Sequence, residues 1–525
     1  MNMKPIEPIE PSMSIIAHSA HNGLNGGQKS GVLLGSLGLL VLLLSAFGVQ
    51  FPFATGFLGL ALAAMASGVL LYGWYAYAGL PQGIKNNGVW FRSLSNRGAL
   101  GMFSAVMITG FYVLLYFFPH YLGQGVAEAA NTGLVAFFDP LSLFLKNQPA
   151  SQWFVYGVLY TLGILVMGIK FIWKYRHNRY QVFRTCSVMF FQTGIAFLLP
   201  EFMQRLNQPY YDFKNMWPLD YDFFEKAQMD YLLNSGGVGL FMIMFGVAMI
   251  FVISPVLTYF YGKRWYCSWV CGCGGLAETV GDPFRQLSDK SLRAWKIERW
   301  LIYSVLVFVV VMTVAVLFAI FHDNPAGYYV TRDFFLGLVV CIFAGLGLVL
   351  WLRPRYFRLV SRSVKIAATV IFAGIIALTT LAYLLHSPNV FFIPADWLKA
   401  WYGFFVGAIF SGVIGVGFYP LMGSRVWCRF GCPMAAILGL QQKFFSRFRI
   451  TTNGGQCISC GNCSTYCEMG IDVRAYAQKG QDIVRASCVG CGICAAVCPR
   501  GVLRLENGRA EIDLWTGEEG RVFKG

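Results

Sequence analysis

Long apolar segments alternate with short polar segments over most of the chain. A helix that crosses a bilayer needs about 20 consecutive, mostly apolar residues, and ten segments meet this requirement. They predict spans near residues 31–49, 54–78, 99–118, 153–173, 182–199, 237–261, 300–321, 334–352, 364–385 and 397–422. A short turn with Phe and Pro separates the first two. The pattern therefore predicts a polytopic α-helical membrane protein with about ten transmembrane helices.

The composition agrees with this class. The chain has 525 residues, of which 56% are hydrophobic and 13% charged, and its mean hydropathy is +0.56. Soluble domains carry about 25% charged residues. The net charge of +16 does not indicate nucleic-acid binding, because the Lys and Arg residues cluster at the ends of spans on one predicted side.

The loops predict an orientation. Basic residues fill the loops after spans two, four, six and eight, whereas the alternate loops are mainly acidic. Cytoplasmic loops are enriched in Lys and Arg, so both termini are predicted to be cytoplasmic, in a bacterial inner membrane. Residues 1–30 are polar and lack the pattern of a cleaved signal peptide; they are predicted to be a disordered tail.

Two copies of the spacing C-x₂-C-x₂-C-x₃-C follow the last span. Their members are Cys457, Cys460, Cys463 and Cys467, then Cys488, Cys491, Cys494 and Cys498. In two-cluster bacterial ferredoxins, which share this spacing, the fourth cysteine of each copy ligates the other cluster. The spacing therefore predicts a C-terminal ferredoxin-like α+β domain with two [4Fe–4S] clusters. One would be held by Cys457, Cys460, Cys463 and Cys498, and the other by Cys488, Cys491, Cys494 and Cys467.

Zinc and disulfides account for these eight cysteines less well. Structural zinc sites usually pair C-x₂-C units, and disulfides require an oxidising compartment, which the predicted orientation excludes.

One departure from the ferredoxin pattern is Glu468, which follows Cys467 where the pattern often has proline. We expect it to change the turn and the local charge at that ligand.

A second cysteine motif occurs twice, at the predicted inner ends of spans six and ten. Residues 262–271 and 423–432 share the pattern Gly-x-Arg-x-aromatic-Cys-x₃-Cys, which indicates an internal repeat. We refer to Cys267/Cys271 and Cys428/Cys432 as the Cys-x₃-Cys pairs. Residues four apart share a helix face, so the pairs are a candidate redox or metal site at the membrane edge, with Cys273 as an additional candidate ligand. The isolated Cys186 and Cys341 are predicted to be packing residues.

Repeated spans that end in C-x₃-C-P, followed by a two-cluster ferredoxin, resemble the NapH/NosR/CcoG group of membrane-bound polyferredoxins. The resemblance covers residues 237 to about 507, and 467–473 and 488–491 look like the cluster-binding segment of that family. It implies that the eight ferredoxin cysteines are ligands and that the Cys-x₃-Cys pairs match the membrane-edge motifs of the family. The first motif departs from the pattern, because Gly272 stands where the proline would be.

These patterns predict four regions. They are a tail at 1–30, an N-terminal region of five helices at 31–236, a second transmembrane region with the repeated motif at 237–435, and a ferredoxin domain with its tail at 436–525. The tail after Cys498 alternates apolar and polar residues, including Ile512 and Leu514, and is predicted to add a small strand pair.

Clusters of this kind move single electrons, so the predicted function is electron transfer rather than bond chemistry. The electrons would pass between a quinone pool or a cytoplasmic donor and a respiratory or reductase partner, within a multi-subunit complex. The alternative is a copper or thiol reductase of the CcoG type that acts in the assembly of a respiratory enzyme.

Haem is not favoured, although His120, His322 and His386 lie at predicted outer span ends. A quinone site near His322 and Asp323 is a further candidate.

The predicted outer loop at 201–234 is long and rich in aromatic residues. Aromatic residues are enriched at membrane–water interfaces. The loop is therefore interpreted as an interfacial belt in preference to a docking surface or lid.

Overall fold

The computed structural model describes residues 24–77, 98–125, 129–323, 330–352 and 360–508. Within these ranges, nine helical segments are long and apolar enough to cross a membrane. The bundle helices, in chain order, are α1 (Gly26–Ala46), α2 (Ala54–Tyr77), α3 (Ala99–Phe117), α4 (Gly133–Lys146), α5 (Gln152–Lys174), α6 (Arg179–Phe190), α7 (Leu199–Arg205), α8 (Lys226–Asn234), α9 (Gly237–Ala248), α10 (Ser254–Tyr261), α11 (Arg264–Cys267), α12 (Gly272–Thr279), α13 (Leu292–Asp323), α14 (Arg332–Leu352), α15 (Arg362–Leu384), α16 (Ala395–Tyr402), α17 (Tyr419–Met422), α18 (Val426–Phe430) and α19 (Pro433–Phe445).

Two of the spans are continuous through π-helical turns. Phe191–Leu198 joins α6 to α7, and Met249–Ile253 joins α9 to α10. Shorter 3-10 turns cover Pro119–Leu122, Asp282–Leu287 and Val390–Phe392. The predicted hairpin of the first two spans is confirmed, with α1 and α2 in close contact through Gly31, Gly38 and Gly68.

The tenth predicted span is not one continuous helix. It comprises α16, a π-helical stretch over Gly403–Val413, and α17. Glycine is a poor helix former, and here it permits close packing on α3: a Cβ atom at Gly412 would lie 2.6 Å from the rings of Tyr112 and Tyr116. Residues 403–413 are therefore π-helical, and not α-helical, where their backbone packs against α3.

Some predictions of terminal structure can be compared with the described residues only in part. The predicted tail at 1–30 is helical from Gly26 onwards, where Asn25 and Gln28 form a capping box. Its first 23 residues, the loop with Lys85 and Arg92, and the tail beyond residue 508 lie outside the described ranges.

The interpretation of 201–234 as an interfacial belt is wrong for three of its aromatic residues, whereas Tyr210 and Tyr231 are exposed. Tyr211, Trp217 and Phe223 are buried in the same core as the spans. The Trp217 indole donates to Thr313 Oγ1 of α13 over 2.9 Å, and Tyr402 donates to the Pro218 carbonyl over 2.7 Å. The loop therefore folds into the bundle instead of lying on its surface.

The C-terminal domain is small and is joined to the bundle through a continuous core. Its elements are β1 (Arg449–Thr452), a 3-10 turn (Gly454–Gln456), α20 (Asn462–Thr465), α21 (Val473–Gln478), α22 (Ile493–Ala496) and β2 (Leu503–Glu506). β1 and β2 pair antiparallel, with Ile450 opposite Leu505, which confirms a strand after Cys498. Apolar residues of the domain and of the bundle share one buried cluster.

The structure also locates the isolated cysteines and the histidines singled out in the sequence. Cys186 and Cys341 are exposed, so the prediction that they pack in the interior is wrong. His120, His177 and His386 are exposed as well, whereas His322 is partly buried at the end of α13.

Candidate metal centres

One pocket in the C-terminal domain is lined by Cys457, Cys460, Cys463 and Cys498. Its remaining wall includes Arg474, Val502 and Leu503. Three of its cysteines come from the first copy of the spacing and the fourth from the second copy. We call it the first pocket.

A second pocket is lined by Cys467, Cys488, Cys491 and Cys494. Its ligand set is again three cysteines from one copy and one from the other. Cys494 lies close enough to Cys463 of the first pocket to interact with it electrostatically. The grouping of the eight cysteines in space is thus the crossed grouping that the spacing predicts.

The backbone explains why the two copies fold alike. Ser459 and Gly490 occupy equivalent places between the first two cysteines of each copy, and both have positive φ, as do Gly461 and Gly492 further on. Positive φ is easily adopted by glycine and is uncommon for serine. The tight turns hold each set of three sulfurs around one side of its pocket.

Side chains of the bundle hold nearly every carbonyl of the loop that carries Cys488 and Cys491. The donors are Gln442 to Arg485 O and Cys488 O, Lys263 to Ala486 O, Ser268 to Val489 O, Tyr180 to Gly490 O and Gln181 to Cys491 O, all between 2.5 and 2.9 Å. Because these carbonyls are hydrogen-bonded to the bundle, the loop that forms one wall of the second pocket lies directly against the spans. The bundle therefore fixes the shape of this pocket.

Glu468 anchors the domain from the other side of the second pocket. Its side chain is 1% exposed, and its two oxygens accept from Arg285 Nη1 at 2.7 Å and from Arg425 Nε at 2.9 Å. Ser288 Oγ donates to its backbone carbonyl over 2.7 Å. The residue that replaces the usual proline is thus the main ionic contact between the domain and the bundle.

These contacts belong to a continuous buried ion network. Its members, in order of contact, are Lys174, Asp282, Arg285, Glu468, Arg425, Glu278 and Arg184. Four cations face three carboxylates, so the network keeps one excess positive charge next to the second pocket. The Cys491 sulfur lies within 4.8 Å of carboxylate oxygens of Glu278 and Glu468, but arginines already occupy both carboxylates.

The network stays ionised over the physiological range. Burial opposes ionisation of Asp282, but Lys174 and Arg285 outweigh it and lower the pKa of this carboxyl to about 2. A depressed carboxyl pKa adds stability above the unfolded value near 4, and that stability is lost only as the pH falls towards 2. We therefore expect the ion pairs of Asp282 to persist between pH 5 and pH 8.

The Cys-x₃-Cys pairs lie in two structural copies of one motif. In each copy a glycine of positive φ, Gly262 or Gly423, ends the span, and a short helix, α11 or α18, follows. The N–H of the last cysteine then donates to the aromatic residue of the motif: Cys271 to Tyr266 O over 2.8 Å, Cys432 to Trp427 O over 2.9 Å. The predicted repeat is therefore present in backbone geometry.

Cys271 and Cys432 are the N-cap residues of α12 and α19. Each places its sulfur at the positive end of a helix dipole, which favours negative charge. The four cysteines of the pairs are buried and interact with one another electrostatically. The structure therefore gathers them around one position.

That position is deeper than the predicted membrane edge. We call the ends of the spans that contact the C-terminal domain the domain side, and the opposite ends the far side. A Cβ atom at Gly272 would lie 2.5 Å from Gln192 Oε1 and 3.3 Å from the Tyr160 ring. At a rise of about 1.5 Å per residue, both residues lie about 20 Å from the domain-side ends of their helices. The segment after α10 re-enters the bundle, so Cys271 lies near the middle of the spans.

A lysine from the loop at 201–234 reaches this depth from the far side. Lys214 is buried; its Nζ donates to Gln192 Oε1 over 3.2 Å, and Gln192 in turn donates to Thr161. The same Nζ would lie 2.9 Å from a Cβ atom at Gly272, and it interacts electrostatically with Cys271. This contact could not be predicted from the sequence, because Lys214 lies in a loop that has no repeat or motif.

The glycines after Cys271 lie where the chain packs most closely. A Cβ atom at Gly274 would overlap the Cys267 carbonyl oxygen, and one at Gly275 would overlap the Val188 side chain. Glycine lets α12 approach α6 and the preceding turn closely. Gly272 stands where the second copy has Pro433, and a Cβ atom there would lie 2.5 Å from Gln192 Oε1.

We expect Gly274→Ala to destabilise the bundle by about 1–3 kcal/mol, the usual cost of overpacking, because the overlapping atom is backbone and cannot rotate away. The check is the apparent melting temperature in detergent. Gly345→Ala is the matched control, since no atom lies within 4 Å of a Cβ at that position of α14. Equal melting temperatures for the two variants would contradict the packing described.

Comparison with known proteins agrees with this geometry. The model of a family described as a 4Fe-4S binding domain matches residues 243–291 and, a second time, 402–451. These are the two copies of the motif with the Cys-x₃-Cys pairs. The model of a 4Fe-4S dicluster domain matches residues 456–503, which contain all eight cysteines of the two pockets.

One curated relative is a protein of Escherichia coli K12 described as "Putative electron transport protein YccM". It is 23% identical over 228 residues, which are 43% of this chain and 47% of the relative. The chain therefore spans about half the length of that relative. No solved structure matches the chain.

These findings support iron–sulfur electron transfer by a multi-pass membrane protein with ferredoxin-like 4Fe-4S domains at its C-terminus.

Proposed function

We propose that the chain carries single electrons between the surface of its C-terminal domain and the middle of the membrane. Three cysteine sites would serve as successive stations: the first pocket, the second pocket and the Cys-x₃-Cys pairs. The observation that carries the proposal is the position of the second pocket. Cys494 of this pocket interacts with Cys463 of the first pocket, and Ser268, the neighbour of Cys267, donates to the carbonyl of Val489 in the wall of the second pocket.

The donor set of each pocket suits a [4Fe–4S] cluster. Four thiolates are the usual ligands of such clusters, and each pocket is lined by four cysteines. In the proposal, Cys457, Cys460, Cys463 and Cys498 hold one cluster, and Cys488, Cys491, Cys494 and Cys467 hold the other. When bound, the clusters supply one-electron storage; the chain supplies ligands, exclusion of water and compensating charge.

The surroundings of the Cys-x₃-Cys pairs suit an anionic centre, either a thiolate-bound metal or a further cluster. Arg425 Nη1 is 3.6 Å from Cys428 Sγ, and Lys263 and Lys214 interact with Cys267 and Cys271. A buried ammonium is costly unless an opposite charge compensates it, and the side-chain partner of Lys214 among the described residues is the neutral Gln192. A negatively charged sulfur centre would supply that compensation.

The partners follow from chemistry and predicted topology. The positive loops favour a bacterial inner membrane with both termini in the cytoplasm. A cytoplasmic carrier or a quinone would exchange electrons at one end, and a respiratory or reductase protein at the other.

The test is anaerobic purification of the full chain, followed by iron analysis and EPR during a redox titration. Two [4Fe–4S] clusters correspond to about eight irons per chain, with additional metal for the Cys-x₃-Cys pairs. We expect Cys428→Ala with Cys432→Ala to remove one signal and its metal while the signals of the two pockets remain. Fewer than about six irons in the unaltered protein, or signals unchanged by the double variant, would refute the corresponding part of the proposal.

One observation favours the thiol or copper reductase as a second candidate. The Cys271 and Cys273 side chains interact with one another, and neighbouring thiols suit disulfide exchange or copper binding. Under this alternative, Cys273→Ala would abolish copper or disulfide reduction; under electron transfer alone, it would leave the EPR signals in place.

A further inference from the structure

The two pockets differ in their access to solvent. At the second pocket, Cys488 and Cys494 are buried and Cys467 and Cys491 are partly buried. At the first pocket, Cys460 is exposed and Ile458, which lines the same pocket, is 58% exposed. A large molecule from solution therefore reaches the line of cysteine sites at the first pocket.

The rim of this pocket is basic. Arg474 and Arg500 both line it and both are exposed, and Lys479 is exposed just beyond the end of α21. The nearest acid on α21, Asp472, is only partly exposed, and its carboxylate accepts from Ser464 Oγ over 2.7 Å. The exposed carboxylate among the described residues of this domain, Glu506, lies at the end of β2 beside Asn507, which contacts Arg264 of the bundle.

We infer that this face, centred on Ile458 with Arg474 and Arg500 at its rim, is the docking surface for a soluble, acidic one-electron carrier. The inference rests on the proposed function. An apolar centre with a charged rim is the usual anatomy of a protein interface, and electron-transfer encounters are small, below about 1,200 Å². Opposite charge would steer the carrier so that its redox group meets the exposed sulfur side of the pocket.

The proposal predicts a rate effect that depends on the charge of the electron donor. With the protein in nanodiscs under anaerobic conditions, reduction of the clusters is followed by stopped-flow absorbance. The probes are reduced flavodoxin, an acidic one-electron carrier, and dithionite, a small reductant that needs no docking surface. Steering raises association rates by about 10- to 1,000-fold and weakens steeply with salt.

We expect Arg474→Glu with Arg500→Glu to slow reduction by flavodoxin at least about 10-fold at low salt, and to slow reduction by dithionite, a small anion, much less. The iron content of each variant is measured alongside, because both arginines line the first pocket. Arg362→Glu, a charge reversal at the exposed start of α15, is the matched control and should behave as the unaltered protein. In the unaltered protein, the flavodoxin rate should fall as salt rises, and the double variant should lose that dependence.

Equal flavodoxin rates in the double variant and the unaltered protein would overturn the inference. A rate that follows the lipid charge of the nanodisc and not the charge of the carrier would overturn it as well, because the rim would then contact lipid. If the double variant loses iron, the salt dependence of the unaltered protein decides, and a flat dependence overturns the inference. Failure of dithionite to reduce the unaltered protein would refute the proposed function instead.

Discussion

Glu468→Gln should cost the protein about 3–5 kcal/mol of stability, the range for breaking a buried ion pair by removing one partner. The change keeps the shape of the side chain but removes its charge. Arg285 and Arg425, both at most 1% exposed, would then share only Asp282 and Glu278 as carboxylate partners. The expected result is a lower melting temperature in detergent, with loss of the signal from the second pocket before that of the first.

The matched control for this substitution is Glu506→Gln, which removes an exposed carboxylate from the same domain. Exposed ion pairs contribute about 0–1 kcal/mol, so its melting temperature should be close to that of the unaltered protein. If Glu468→Gln were equally harmless, the network would not hold the domain on the bundle, and the order of stations proposed above would lose its structural basis.

Cys467→Ser should abolish the cluster of the second pocket, although Cys467 belongs to the first copy of the spacing. The reason is the crossed grouping: Cys467 lines the pocket of Cys488, Cys491 and Cys494. Loss of one thiolate from a four-cysteine site removes a ligand that serine replaces poorly. We expect about four fewer irons per chain, measured together with the EPR spectrum of the reduced protein.

Two further serine variants decide whether the ligation is crossed. The spectrum of Cys467→Ser should match that of Cys494→Ser, a member of the second pocket, and differ from that of Cys463→Ser, a member of the first. Cys498→Ser should show the opposite match. A Cys467→Ser spectrum that coincided with that of Cys463→Ser would show uncrossed ligation.

The cysteine groups could be predicted from the sequence because the relevant signal is local. Ligand spacing is set by a few turns, and both copies of the C-x₂-C-x₂-C-x₃-C spacing contain them in full. Most of the membrane spans could also be predicted from the sequence, because a run of about 20 apolar residues is rarely found outside a membrane-spanning helix. The strand after Cys498 followed from its alternation of apolar and polar residues.

The depth of the Cys-x₃-Cys pairs could not be predicted in the same way. A segment that leaves a span and re-enters the bundle, as residues 262–279 do, has the polar and glycine-rich composition of a loop. The buried positions of Lys214 and Glu468 depend on contacts with residues far away in the chain, Gln192 in one case and Arg285 and Arg425 in the other. The sequence did show Glu468 in place of the usual proline. We predicted from it an altered turn, whereas in the structure Glu468 anchors the C-terminal domain to the bundle.

Placement of Arg184 shows a related limit. The hydropathy pattern begins the fifth span at residue 182, so Arg184 would lie at the very edge of that span. In the structure α6 begins at Arg179, and Arg184 lies more than one turn inside it. It is tolerated there because Glu278 of α12 pairs with it. Charge inside a span is costly unless it is paired, and the partner comes from the re-entrant segment that hydropathy cannot identify.

The hydrogen bonds that hold the loop at 485–491 also constrain biogenesis. Gln442, Lys263, Ser268 and Tyr180 grip that loop from the bundle side, and Cys488 is buried. If the second pocket holds a cluster as proposed, we expect the C-terminal segment to be loaded before it closes onto the helices.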